Sequence, residues 1–198
     1  MKPLNDNVLI SAEILAECTL FAETSVEFSA DKYASRNQFN FEKIKNDIKC
    51  GKIGEFIVYN KLINNYPNLS KPDLKIYSIS NKSWQSDLIS PCGIEIAVKS
   101  QNISSSIEYS DSWVFQGAPG KTKDTDTGIF KNTNPNHYVA FVSLNTPKKT
   151  GKIRSIVKVS WLIDNNLFKA MQKENLRGNK VAVYYDDLLG YPDQLWQL

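Results

Sequence analysis

Histidine occurs once, at His137, and cysteine only at Cys18, Cys50 and Cys92, in a chain of 198 residues. An odd, scattered set of thiols makes no disulfide framework, and with a single imidazole it makes no zinc-ligand spacing. His137 has no serine or cysteine placed to mark a nucleophilic triad, so it reads as an ordinary surface or structural histidine. Apolar runs are short, and none approaches the roughly 20 residues that span a bilayer. Glu13, Glu17 and Glu23 interrupt the apolar positions near the N-terminus, which does not fit a secretory signal. A cytoplasmic protein with no membrane partner is expected. Charge of one sign is also lacking: 24 Lys and Arg oppose 21 Asp and Glu, and a net +3 does not by itself identify a nucleic-acid partner.

What is present is ordinary globular material, 41% hydrophobic and 23% charged, at a length that buries a core without staples. Residues 1–198 are expected to form a single domain, with no internal repeat. Helical spacing of Leu9, Ala12, Leu15, Cys18 and Leu20 predicts a helix over Val8 to Ala22, and Ile44, Ile48, Phe56, Ile57 and Ile63 predict a long helix or helix pair over Phe41 to Asn65, with Gly51 and Gly54 as weak points. From Pro72 the period changes to that of strands. LKIYSI, Trp84 to Ile89 and Ile94 to Ser100 read as consecutive strands of one sheet, the last two joined by a turn at Ser90 to Gly93. Ser112 to Phe115, Tyr138 to Ser143, Ile153 to Ser160 and Lys180 to Tyr185 are further strands. A helix is expected over Trp161 to Glu174 and a helical turn over Asp186 to Leu189.

The segment Ser86 to Gln101, SDLISPCGIEIAVKSQ, sets an acid before a turn and follows it with an apolar strand bearing Glu95 and Lys99. Alternate strand residues share a face, so Glu95, Ala97, Lys99 and Gln101 point the same way. A phosphodiester repels hydroxide; carboxylate oxygens that hold magnesium and a lysine that supplies a compact positive charge are the residue types its hydrolysis needs.

With the helix GKIGEFIVYNKL, the acid in QSDLI, the strand GIEIAVKSQ and the following SDSWVFQ and YVAFVSL, the chain resembles the PD-(D/E)XK nuclease superfamily, in particular its restriction-endonuclease-like members, over about Glu42 to Leu144. The resemblance implies an α/β fold with a mixed central β-sheet flanked by helices, a restriction-endonuclease-like core, acting as a metal-dependent endonuclease of restriction type on double-stranded DNA. It further implies that Asp87 and a strand acid bind Mg2+ or Mn2+, that Lys99 serves the attacked phosphate or the water, and that Glu55 adds a metal or water ligand. A homodimer suits the cutting of both strands.

The chain departs from that pattern at one position. Ala97 stands where the family places its strand acid, and Glu95 is four residues before Lys99, about 13 Å away in a regular strand instead of about 7 Å. A bulge would redirect Glu95; otherwise the second ligand comes from Glu55, Gln101, the Ala97 backbone carbonyl or water. Two other readings stay open: a protein that has lost its catalytic acid and binds DNA without cleaving it, or an alanine introduced to trap an uncleaved complex. A third class is an interaction protein whose acids and lysine form structural ion pairs.

Gln101, Arg36 and Asn37, with Lys121 and Lys123 in the polar loop GAPGKTKDTDTG, are candidate DNA contacts. The same loop fails as a phosphate loop, because only Ala118 and Pro119 separate its glycines. Asp124 and Asp126 lack the remaining ligands of a calcium loop and receive no metal role.

Overall fold

Tyr138 to Leu144 reads YVAFVSL, apolar on both faces of a strand, and the computed structural model covers both. It describes residues 7–34, 38–77, 86–117, 126, 134–172, 174 and 180–191. In chain order these form β1 (Val8–Leu9), α1 (Ala12–Phe28), α2 (Ala30–Ala34), α3 (Phe41–Leu62), β2 (Leu88–Ile89), β3 (Glu95–Asn102), α4 (Ile103–Tyr109), β4 (Ser112–Gln116), β5 (His137–Asn145), β6 (Thr150–Lys158), α5 (Val159–Asp164), β7 (Lys169–Ala170), β8 (Lys180–Tyr184) and α6 (Tyr185–Leu188).

The fold is mixed α/β. A five-stranded sheet runs β1-β6-β5-β3-β2, with β3 and β5 parallel and the other pairs antiparallel. On one face Ile96, Tyr138, Ala140, Val142 and Leu144 pack with Ile53, Phe56 and Ile57 of α3 and Cys18 of α1. On the other, Ala97, Val139 and Phe141 meet Trp113, Phe115 and Val183 of a second, three-stranded sheet ordered β4-β8-β7. The Trp113 indole donates to the Val142 carbonyl (2.9 Å), beside the register shift between Phe141 and Val142 in the β5–β6 ladder. Among the described residues no helix is long and apolar enough to cross a membrane.

Several elements differ from expectation, each for a local reason. The strands are divided between two sheets. Val8 and Leu9 pair with β6, and α1 starts only after Ser11, whose side chain accepts from the Ile14 amide (3.2 Å). Residues 74–77 of the expected strand LKIYSI are irregular, because the Asp73 carboxylate takes the Lys75 amide (2.9 Å) and the Tyr77 hydroxyl (2.7 Å); the rest of that stretch lies outside the described residues, as does Trp84. The helix expected over Trp161 to Glu174 stops at Asp164, where Asn166 turns to φ 52° and the chain passes into β7.

Gly54 is no weak point of α3, which runs unbroken through it. A Cβ there would lie 1.8 Å from the Ser100 Oγ and 3.1 Å from its Cβ, so the missing side chain lets the helix lie directly on β3. Gly51 has nothing within 4 Å. Opposite signs follow for the two glycines. Gly51→Ala is expected to raise stability by about 0.5–1 kcal/mol through helix propensity, whereas Gly54→Val should lower it by about 2–3 kcal/mol through overpacking. Urea midpoints of the two variants check this, and equal shifts would refute the close-packing account.

Candidate active site

β2 is only two residues long, and its ladder with β3 ends at Leu88 opposite Ile96. Among the described residues nothing continues the sheet beyond it on that side. The next outward-facing amide of β3, Val98, would lack a ladder partner, and the Asp87 carboxylate supplies one: Val98 N–H donates to Asp87 Oδ2 at 2.7 Å. Asp87 is thereby fixed to the backbone of the residue immediately before Lys99. The Glu95 amide donates to Asn136 just before β5 (3.1 Å), so by alternation the Ala97 backbone also faces β5, and it is Val98 that carries the backbone beside Asp87.

Two pairs of charges act electrostatically on Asp87, one on α3 and one built from β3 and the β4–β5 connection. From α3, Lys52 Nζ donates to Glu55 Oε2 at 2.8 Å, one helical turn apart. Lys52 also lies 5.3 Å from the centre of the Phe21 ring on α1. From the other face of β3, Lys99 Nζ donates to Asp126 Oδ1 at 2.8 Å and lies 4.9 Å from the centre of the Phe115 ring. The second Asp126 oxygen accepts from the Gln116 amide at the end of β4. Both lysines act electrostatically on Asp87, as do Glu55 and Asp126.

Burial pushes the Glu55 carboxyl up to about 8, with the Asp87 charge adding to the rise and Lys52 opposing it. Burial also raises Asp87, against the Val98 hydrogen bond and the charges of Lys52 and Lys99. Three carboxyl groups, those of Glu55, Asp87 and Asp126, stand here with two lysines, Lys52 and Lys99. The donor set of hard carboxylate oxygens fits magnesium, which commonly takes one or two carboxylates and keeps several waters. Among the described residues no three His, Cys, Asp or Glu side chains are gathered closely enough to hold an ion by themselves.

Glu95 stands elsewhere. Its carboxylate accepts from Ser86 Oγ (3.1 Å) and Asn134 Nδ2 (3.0 Å), and Ser86 Oγ lies 3.3 Å from Nε2 of the buried His137, the residue paired with Glu95 on β5. Burial lowers the His137 pKa against the pull of Glu95. Four polar side chains thus tie the start of β3 to that of β5, a grouping invisible in sequence because its members are spread over 51 residues. Gln101 is held by backbone, donating to the Ser110 carbonyl (3.0 Å) and accepting from the Ser112 amide (3.0 Å), which secures the turn between α4 and β4. Arg36, Asn37, Lys121 and Lys123 lie outside the described residues.

Asp87 is thus anchored to the residue before Lys99 and feels the charges of Lys99 and Glu55, whereas Glu95 and Gln101 lie in other networks. Lys52 and Asp126 are the site residues that sequence reasoning passed over. Lys52 carried a signal in its spacing of three from Glu55 on one helix; Asp126, 27 residues from Lys99, carried none. No protein-family model matches the chain, and a search of curated proteins finds no match.

Proposed function

We propose that this protein is a magnesium-dependent endonuclease acting on double-stranded DNA. The observation that carries the reading is the hydrogen bond from the Val98 amide to Asp87, which fixes a carboxylate beside the residue that bears Lys99. Asp87 would hold the ion, with Glu55 as a ligand to it or to one of its waters. When bound, magnesium polarises a phosphoryl oxygen and lowers the pKa of its water. Lys99 offers an ammonium on a strand that packing holds rigid, so its charge is placed before substrate arrives. Lys52 tempers the repulsion between Glu55 and Asp87. The order of helix, short hairpin and parallel return strand supports a restriction-endonuclease-like core.

A second reading, a DNA-binding protein of the same architecture without cleavage, is favoured by Ala97, which is buried beside Val139 and Phe141 instead of presenting an acid. Duplex DNA incubated with and without magnesium separates the two. Cleavage that needs magnesium and is lost in Lys99→Ala supports the enzyme. Cleavage that appears only in Ala97→Glu marks an inactivated site, and binding without cleavage in every version supports the second reading. If no version binds or cuts duplex DNA, both readings fall.

A further inference from the structure

Ala97 and Lys99 share a face of β3, and the carboxylate that position 97 lacks would have stood beside the lysine. The structure places another one there. Asp126 Oδ1 lies 2.8 Å from Lys99 Nζ, and its Oδ2 is held by the Gln116 amide, so a side chain from the long connection between β4 and β5 is fixed at both oxygens. Asp126 is largely buried, with 13% of its side chain exposed, which sets it apart from the solvated surface pair Lys43–Asp47.

We propose that Asp126 is the second acidic metal ligand of this site, supplying from the β4–β5 connection the carboxylate that the strand does not carry. This rests on the nuclease reading above. Three observations support it. The Asp126 carboxylate flanks the lysine on the face where the strand acid is missing. Asp87 is anchored to the Val98 amide and Asp126 to the Lys99 ammonium, so the two carboxylates are held by consecutive residues of β3, and the negative charge of each opposes the other, which a shared divalent cation relieves. Each of its oxygens keeps acceptor capacity after one hydrogen bond, so a metal can be added without breaking either contact.

The test is binding of Mn2+ to the DNA-free protein, read by the loss of the free-ion electron paramagnetic resonance signal, with no dependence on cleavage. Asp126→Asn retains an oxygen and a polar shape beside Lys99 and Gln116, so folding is expected to be kept and is checked by thermal melting. The expected result is a weakening of Mn2+ affinity by about tenfold or more in Asp126→Asn, as in Asp87→Asn. If Asp87→Asn weakens binding and Asp126→Asn does not, the proposal for Asp126 is overturned while the nuclease reading stands. Unchanged Mn2+ affinity in Asp126→Asn with tighter metal-free binding of duplex DNA would also overturn it, and would make Asp126 a stand-in for phosphate on Lys99. If neither variant differs from the parent, or the parent binds no Mn2+, both the metal site and the Asp126 role are refuted.

Discussion

Under the proposed function, replacing Asp87 by asparagine is expected to lower magnesium-dependent cleavage of duplex DNA by about 10³-fold or more, with the fold retained. Asparagine keeps a carbonyl oxygen where Asp87 Oδ2 accepts from the Val98 amide, so the backbone contact survives while the metal-binding charge is lost. Burial already makes the charged form of Asp87 unfavourable, so the neutral variant should melt at or above the temperature of the parent in metal-free buffer. Asp87→Ala should behave differently. It leaves the Val98 amide without its acceptor, at a cost of about 1–3 kcal/mol, and loses cleavage as well. Cleavage rates and melting temperatures of the two variants separate a catalytic carboxylate from a structural one. An Asp87→Asn protein that cuts at the parental rate removes Asp87 from the mechanism.

Stability of the metal-free protein should fall as pH rises from about 4.5 to about 8, through the titration of Glu55. The sign follows from linkage. The folded-state pKa lies above the ordinary one, so the folded protein holds the proton that the unfolded chain has released, and stability is greatest below the lower value and declines through the higher. Over the whole interval the loss from this group is about 3–5 kcal/mol. Glu55→Gln removes the titration, and its urea midpoint in EDTA should be nearly level over the same range. Magnesium should restore the parent at high pH, because binding to the carboxylate displaces the proton. Parallel pH profiles for parent and Glu55→Gln would show that Glu55 is not held protonated in the folded protein.

These two results bear on different links of one chain from sequence to site. Lys99 and Asp87 were legible because each sits at a recognisable place in the chain, the lysine closing an apolar strand and the aspartate preceding a turn. Glu55 was legible as an acid among apolar neighbours, GKIGEFIV, but its burial follows from how α3 packs on the rest of the fold. Glu95 was read with the lysine because the two share a face. The structure instead couples it to Ser86, Asn134 and His137, which come from outside the strand. The tail of the helix expected after Trp161 was misread because apolar residues continue past Asp164, while the left-handed turn at Asn166 does not show in periodicity.

Local pattern by itself determined that the chain is α/β, that α3 precedes a strand hairpin, that Tyr138 to Ser143 is a strand, and that an aspartate and a lysine flank the β2–β3 turn. Those features depend on residues near one another in sequence, where spacing and propensity act directly. Tertiary structure alone decided that the strands divide into two sheets, that β2 stops after two residues and opens an edge for Asp87, and that Lys52 and Asp126 join the site from α3 and from beyond β4. Which charged groups meet depends on how helices and sheets pack in three dimensions, and sequence periodicity carries only the direction in which each side chain leaves its own element.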